Sequence, residues 1–236
     1  MDQNARRRVL LSSPLFKALP VTALDTILAQ ATEKSIRKGH TVYRRGDEGS
    51  YMAAVLSGLM RVSATSSGGK EVTFNMISAG EVFGEIALLD GKPRSADVTA
   101  IVDSQLMVVE RHHFKPLLEA NHELALRMID VLCERLRDTT DTLGDLATLK
   151  LPERLARKLL NLGAAHGDMS QGGVGGSTIR INIPLSDTDL ARFVGCERES
   201  INKQMRAWHE DGIVARENRR VILRVPNALR RLAGDE

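Results

Sequence analysis

Hydrophobic and polar positions follow different patterns in three successive parts of the chain. Residues 34–110 contain short apolar runs separated by Gly-rich turns, a pattern typical of a small antiparallel barrel or jelly roll. Residues 115–148 repeat apolar positions at alternating steps of four and three. Residues 149–236 mix helical patterns with an alternating strand and a Gly-rich stretch, 163–177, that predicts a flexible surface loop. The pattern predicts an α+β protein divided into residues 1–114, 115–148 and 149–236.

The central part predicts one long helix with an apolar seam. The seam positions are Ala125, Ile129, Leu132, Leu136, Thr139, Leu143 and Leu146. This spacing is the signature of a coiled coil. Glu134, Arg137 and Asp141 lie outside the seam and are strongly polar, which favours a parallel homodimer over a helix packed on its own domain. Thr139 and its neighbour Thr140 would place two hydroxyl groups from each chain near the dimer axis.

The C-terminal part contains the pattern of a helix-turn-helix followed by a wing. Ser186 and Asp189 form a capping box at the start of one short helix. Gly195 marks the turn to a second helix over residues 197–211. Residues 216–225 can then form a two-stranded wing.

Composition and charge limit the possible classes of protein. The chain has 236 residues and a formal net charge of +3, and residues 149–236 carry the positive excess. No apolar run approaches about 18 residues, and no signal-peptide core is present, so we expect a cytoplasmic protein without a membrane span. Cys133 and Cys196 lie far apart, and the pair His112 and His113 lacks a third ligand at a suitable spacing. No metal site is predicted.

Residues 80–96 contain the polar side chains that are best suited to bind a ligand. Two glycines near the start of this stretch allow the backbone to approach a ligand closely. Glu85 can only accept hydrogen bonds when ionised and suits a ribose hydroxyl, whereas the guanidinium of Arg94 is a fork of donors that suits a phosphate. Together with Ser95, these groups would suit a small anion that carries a sugar.

The same stretch resembles the phosphate-binding cassette of cyclic-nucleotide-binding domains. The runs that match in type and spacing are Phe83-Gly84-Glu85 and Pro93-Arg94-Ser95-Ala96. The resemblance implies a β-roll fold and a cyclic nucleotide as allosteric ligand. It implies that Arg94 neutralises the cyclic phosphate and that Gly84 and Ser95 supply backbone or hydroxyl donors. Glu85 would then hold the ribose 2′-hydroxyl.

Further residues would complete this pocket. Ile86 belongs to the same cassette. Phe74 and Ile77 lie on predicted strands near it, where they form either an apolar wall of the pocket or part of the core.

The central helix resembles that of the bacterial cyclic-AMP receptor protein (catabolite activator) family. The matching positions are Arg135-Leu136, Thr139-Thr140, Gly144 and Leu146-Ala147. By this resemblance, Thr139 contacts the adenine bound by its own subunit and Thr140 contacts the adenine bound by the partner. The ligand would then connect the ring pocket to the dimer seam.

The C-terminal part resembles the winged helix-turn-helix of the same family. The matching positions are Asp189-Leu190-Ala191, Val194-Gly195-Cys196 and Arg198-Glu199-Ser200-Ile201. The resemblance places the second helix in the DNA major groove, with Arg198 on a guanine, Glu199 on a cytosine amino group and Lys203 on a base or phosphate. Ser200 and Asn202 are further candidates for DNA contact. Lys203 stands where the best-known member has arginine, so a different operator sequence is expected there.

The resemblance covers essentially the whole chain. It implies an N-terminal cyclic-nucleotide-binding β-roll, a central dimerisation helix and a C-terminal winged helix-turn-helix. The expected function is a homodimeric, cyclic-AMP-dependent transcription regulator that is not an enzyme. Its expected partners are an operator in double-stranded DNA and RNA polymerase. A response to cyclic GMP, to both nucleotides, to another ligand or to none stays open.

Two other classes compete with this interpretation. An iron–sulfur or haem gas sensor could use the same scaffold, but two cysteines cannot supply four thiolates, and the Arg94-Ser95 pair indicates a phosphate. An enzyme such as a phosphodiesterase could use the nucleotide as substrate, but the sequence contains no metal cluster, paired acid and base, or activated nucleophile.

Overall fold

In the computed structural model, strands occupy most of residues 32–110, as the short apolar runs predicted. The structure describes residues 3–17, 19–171 and 177–234. The chain divides into two units, Met1–Thr139 and Thr140–Glu236.

The first unit is built on two antiparallel sheets. Its strands are β1 (Thr32–Ile36), β2 (Thr41–Tyr43), β3 (Tyr51–Ser57), β4 (Leu59–Thr65), β5 (Glu71–Ser78), β6 (Val82–Phe83), β7 (Asp97–Ala100) and β8 (Ser104–Glu110). One sheet has the order β1-β8-β3-β6 and the other the order β2-β7-β4-β5. Val55, Met60, Phe83 and Leu106 are buried in the same apolar cluster. This arrangement confirms the predicted β-roll.

Helices flank the roll and carry a second apolar cluster. They are α1 (Gln3–Ser12), α2 (Pro14–Lys17), α3 (Val21–Gln30), α4 (Glu85–Asp90), α5 (Arg111–Ala120) and α6 (His122–Thr148). Leu10, Ile27, Phe114 and Met128 from four of them pack together with Val109 of β8. Within the described residues, no helix is both long enough and apolar enough to cross a membrane.

The long helix predicted over residues 115–148 is wrong at its start. The structure contains two helices there, α5 and α6, and they are separated by Asn121, whose backbone is extended with φ −131° and ψ 97°. The side chain of Asn121 accepts a hydrogen bond from the amide of Leu124 at 3.2 Å. This bond satisfies one of the free amides at the start of α6, so Asn121 begins a new helix. The predicted end at Thr148 is confirmed.

The second unit combines helices with one small sheet. Its elements are α7 (Leu151–His166), β9 (Gly167–Gln171), β10 (Ser177–Ile181), α8 (Asp187–Val194), α9 (Arg198–Glu210), β11 (Val214–Glu217), β12 (Arg220–Leu223) and α10 (Pro226–Ala233). The strands follow the order β11-β12-β10-β9. Leu155, Leu159, Leu190, Ile201 and Val221 are fully buried.

The surface loop predicted over residues 163–177 is wrong in its described part, because α7 extends to His166 and β9 follows directly. The glycines there serve packing. A Cβ added to Gly163 would lie 3.1 Å from Cγ2 of Ile179, and one added to Gly167 would lie 2.2 Å from the Gly163 carbonyl oxygen. The rest of the predicted loop, residues 172–176, lies outside the described residues.

The helix-turn-helix and the wing are confirmed. The Ser186 hydroxyl accepts from the amide of Asp189 at 3.1 Å, and the Asp189 carboxylate accepts from the amide of Ser186 at 2.9 Å. Gly195 follows α8 with φ +73°, a left-handed conformation that glycine adopts without strain. In the wing, Asn218 and Arg219 connect β11 to β12 with φ +48° and +66°. Positive φ at both loop residues matches the twist of a two-residue hairpin.

Candidate functional site

The predicted cassette joins β6 to α4 at one glycine. Gly84 adopts φ +81° between the strand and the helix. A Cβ at this position would lie 2.5 Å from Nη1 of Arg94 and 3.2 Å from the hydroxyl oxygen of Tyr43. Only glycine therefore fits here, and the structure brings the two ends of the cassette together, as the sequence predicted.

Arg94 is buried, and its donors are incompletely used. The residue is 2% exposed, and its Nη1 donates to the carbonyl of Gly84 at 3.0 Å. Among the described residues, Nε and Nη2 of Arg94 are buried and have no hydrogen-bond partner. An unmatched cation in such a position is costly, whereas two adjacent donors on one guanidinium edge suit two oxygens of an oxyanion. Arg94 is therefore prepared for an anionic ligand.

Two tyrosines surround the same guanidinium. The Cζ atom of Arg94 lies 4.1 Å from the ring centroid of Tyr43 and 4.4 Å from that of Tyr51. Burial raises the pKa of both tyrosine hydroxyls, although the charge of Arg94 opposes the shift. Both rings are therefore neutral at physiological pH. The sequence alone does not identify them as site residues, because they come from β2 and β3, outside the cassette.

Glu85 forms an ion pair that the sequence analysis did not predict. Its carboxylate is almost completely buried and pairs with the guanidinium of Arg135 on α6. Arg135 also donates to the carbonyl of Val82, the first residue of β6. A carboxylate has acceptor sites to spare, so Glu85 can still accept from a sugar hydroxyl. Arg135 lies one helical turn before Thr139, which was predicted to contact the ligand. This spacing is the signal in the sequence that Arg135 could also lie near the cassette.

The remaining predicted ligand residues lie closer to the surface. Ser95 is exposed, and so are the side chains of Ile86 and Phe74. Ile77 is 1% exposed and belongs to the core of the roll, so of its two predicted roles the core role is confirmed. Phe74 lies on β5 without being buried in that core.

The hydroxyl pair of α6 follows Arg135 along the helix. Thr139 and Thr140 are both exposed, and the Thr139 hydroxyl donates to the Arg135 carbonyl at 2.7 Å. The predicted seam on the same helix is largely open to solvent. Its large exposed apolar side chains are Ile129, Leu136, Leu143 and Leu146. Such a stripe marks an interaction surface.

The predicted DNA-contacting residues cluster on one face of α9. Arg198, Glu199, Asn202 and Lys203 are exposed and line a common surface depression, while Ser200 is half-buried. The opposite face of α9 is buried through Ile201, Met205 and Trp208. The helix therefore presents a polar surface that a packed core holds in place.

Asn202 takes part in a small network that links α9 to the wing. Its side-chain amide donates to the carboxylate of Asp187 at 3.0 Å. Asp187 also pairs with Arg216 of β11, and Arg216 donates to the carbonyl of Leu185 at 3.2 Å. One nitrogen of Asn202 is thus engaged within the protein. Asp187 and Arg216 were not among the predicted site residues.

A β-roll that contains a buried arginine with unused donors, together with a winged helix-turn-helix, defines a class of protein. The class is that of DNA-binding regulators that carry a domain suited to a small anionic ligand. Within the part of the chain that the structure describes, no group of three or more His, Cys, Asp or Glu side chains is placed to hold a metal ion.

Comparison with known proteins identifies the family. The sequence matches the cyclic nucleotide-binding domain over residues 33–121 and the Crp-like helix-turn-helix domain over residues 153–232. The chain belongs to the cyclic-AMP receptor protein/fumarate–nitrate regulator superfamily. It is a cyclic-nucleotide-binding, DNA-binding transcription regulator, and its relatives are regulators rather than enzymes.

Individual relatives cover nearly the whole chain. The CRP-like cAMP-activated global transcriptional regulator of Mycobacterium tuberculosis is 25% identical over 225 residues, which cover 95% of this chain and 98% of the relative. The cyclic AMP receptor protein of Thermus thermophilus is 29% identical over 202 residues, which cover 86% of this chain and 88% of the relative. A solved structure of a CRP-family transcriptional regulator, also from Thermus thermophilus, superposes with a TM-score of 0.68 at 27% identity and covers 85% of this chain and 96% of that one.

Replacement of Arg135 by alanine tests the buried ion pair. Arg135→Ala leaves the carboxylate of Glu85 buried without its cation, which should lower the free energy of unfolding by about 3 kcal/mol. Urea unfolding followed by circular dichroism measures the change. Arg137→Ala, an exposed position on the same helix, is the control and should change the free energy by less than about 0.5 kcal/mol. Equal unfolding midpoints for the two variants would contradict the ion pair.

Proposed function

We propose that this chain is a homodimeric regulator of the cyclic-AMP receptor branch. Cyclic AMP binds at the cassette and shifts the dimer to a form that binds a palindromic operator. The observation that carries the proposal is the guanidinium of Arg94, which is buried and keeps two donors without partners among the described residues. A cyclic phosphate supplies the negative charge and the oxygens that this edge lacks.

The other groups of the site suit the rest of the nucleotide. Glu85 accepts from the ribose 2′-hydroxyl, and Ser95 adds a donor to the phosphate beside Arg94. Thr139 contacts the adenine from its own subunit, and Thr140 does so from the second copy. Relatives that are named cAMP-activated support this choice of base. Cyclic GMP is the alternative, because hydroxyl groups donate and accept and can serve either purine.

The exposed seam of α6 supports a dimer of parallel helices. Leu136 and Leu143 are 67% and 63% exposed, in positions that a coiled-coil partner would cover. A two-fold axis along this seam would relate the two recognition helices. The class of helix-turn-helix regulators that includes catabolite activators places such helices in successive major grooves about 34 Å apart, and we carry this spacing over from the class.

The Glu85–Arg135 ion pair supplies the connection from ligand to dimer. Glu85 belongs to the cassette, while Arg135 lies on the helix that carries the seam. A ribose hydroxyl that donates to Glu85 would share the carboxylate with Arg135. A ligand shifts the equilibrium between two forms only by binding one of them more tightly. In this proposal, the DNA-binding form is the one in which cassette and Arg135 both fit the nucleotide.

Further partners follow from the same proposal. The dimer binds double-stranded DNA through α9, with Arg219 and Arg220 of the wing near the phosphate backbone. RNA polymerase is the proposed protein partner of the dimer. The proposed location of the protein is the cytoplasm. The functional parts are the nucleotide-binding residues 1–114, the dimerisation segment 115–148, in which the helix α6 begins at His122, and the DNA-binding residues 149–236.

Replacement of Arg94 by alanine should weaken cyclic-AMP binding at least about a hundredfold, because the phosphate loses its charged partner and a charge-assisted bidentate contact. Isothermal titration calorimetry measures the affinity. Lys92→Ala removes a cation from the exposed turn two residues away and serves as the control, with an expected affinity close to that of the wild type. An Arg94→Ala protein that binds cyclic AMP normally would refute the assignment of the pocket.

Replacement of Arg198 by alanine should remove sequence preference and leave background DNA binding. A bidentate arginine–guanine contact contributes about 1–3 kcal/mol of discrimination, so the affinity for a selected operator should fall about tenfold or more. Fluorescence anisotropy at several salt concentrations separates this loss from the salt-dependent term. Arg206→Ala removes the same charge from the same helix and should keep the sequence preference. If both variants behave alike, the readout by Arg198 is disproved.

Replacement of Leu136 by aspartate should convert the dimer into monomers, because the change places a charge in the centre of the proposed seam. Sedimentation velocity over a range of protein concentrations measures the change in mass. Val21→Asp makes the same change at an exposed position on α3, outside the seam, and should leave the dimer intact. A wild-type protein that sediments as a monomer, or a dimeric Leu136→Asp variant, would contradict the seam.

A further inference from the structure

Two tyrosines from outside the cassette converge on its arginine. Tyr43 ends β2 and Tyr51 begins β3. Their ring centroids are 6.3 Å apart with an angle of 71° between the ring planes, and Tyr43 also contacts Phe83 at 6.0 Å between centroids. The distances of 4.1 and 4.4 Å from Cζ of Arg94 to the two centroids are well within the range of cation–π contacts.

Aromatic rings can stabilise the buried charge of Arg94 without using the donors that a phosphate needs. A carboxylate beside Arg94 would neutralise its charge and occupy two of its donors, which would leave less for a phosphate. A ring attracts the cation through its π electrons and uses none of the N–H groups. The rings therefore compensate part of the cost of burying Arg94 and keep Nε and Nη2 available.

The same contacts fix the orientation of the guanidinium. Nη1 is held by the carbonyl of Gly84, and the rings restrict the guanidinium plane. The side chain of arginine otherwise loses considerable conformational freedom when it binds a ligand. A guanidinium that is already oriented loses less of that freedom, and less of the binding free energy is spent on ordering it.

We propose that Tyr43 and Tyr51 form an aromatic clamp that positions Arg94 for the phosphate group of the ligand. The clamp rests on the proposed function, because it acts on the affinity for a cyclic nucleotide. Tyr43 and Tyr51 are positioning residues that act through Arg94. Neither lies in the cassette runs on which the resemblance was based.

Substitutions that separate the ring from the hydroxyl test the clamp in the full-length protein. Tyr43→Leu removes the aromatic ring, and we expect it to weaken cyclic-AMP binding about tenfold, the effect of a cation–π contact in a desolvated site. Tyr43→Phe keeps the ring and should stay within about threefold of the wild type. Val42→Ala, a neighbouring change on β2, controls for loosening of the strand and should leave the affinity unchanged.

A second readout separates positioning from general stability. The ³¹P resonance of bound cyclic AMP reports on the groups around the phosphate. In Tyr43→Leu we expect this resonance to move towards its position in the free nucleotide, and in Tyr43→Phe and Val42→Ala to stay at the wild-type position. The melting temperature of each ligand-free variant measures the loss of stability separately, and Val42→Ala should lower it without weakening cyclic-AMP binding.

The outcomes distinguish the clamp from the function on which it rests. A wild-type protein that binds no cyclic nucleotide would overturn both proposals. A wild-type protein that binds cyclic AMP, together with a Tyr43→Leu variant of equal affinity and unshifted ³¹P resonance, would overturn the clamp alone. An affinity of Tyr43→Phe as low as that of Tyr43→Leu would also overturn it, because the hydroxyl rather than the ring would then act.

Discussion

The site depends on a guanidinium that is held in place without being neutralised. Arg94 is almost completely buried, yet its described neighbours are a carbonyl and two neutral rings rather than a carboxylate. Such an arrangement costs stability in the absence of a ligand, because the charge has lost water and gained only partial compensation. An anion that enters the site restores what is missing. The free energy needed to bury Arg94 thus becomes a source of affinity for phosphate.

The second charged group of the cassette has the opposite arrangement. Glu85 is as deeply buried as Arg94, but it is paired with Arg135 from another element. Because Arg135 also donates to the Val82 carbonyl, one guanidinium joins both β6 and the start of α4 to α6. Thr139 follows one turn later and donates to the Arg135 carbonyl. The helix that carries the exposed seam is therefore attached to the cassette by the residue that completes the ion pair.

The cassette and the seam of α6 could be predicted from the sequence, for physical reasons. The cassette is a short run in which each residue type serves one chemical task, and the seam of α6 follows a periodicity that depends only on helix geometry. Features that depend on distant contacts could not be read in this way. Tyr43 and Tyr51 meet Arg94 only after the strands have paired, and Gly167 is a packing residue because the Gly163 carbonyl and the Ile179 side chain lie against it. The break at Asn121 depends on one side-chain hydrogen bond, which competes with a continuous helical pattern.

The most direct measurement is calorimetric titration of the purified wild-type protein with cyclic AMP, cyclic GMP and adenosine in separate experiments. We expect binding of cyclic AMP, weaker binding of cyclic GMP, and loss of most of the affinity with adenosine, which lacks the phosphate that Arg94 would bind. Equal binding of the two cyclic nucleotides would keep the pocket and remove the proposed preference for adenine. Equal binding of adenosine and cyclic AMP, or no binding of either cyclic nucleotide, would mean that the buried arginine is not prepared for a cyclic phosphate.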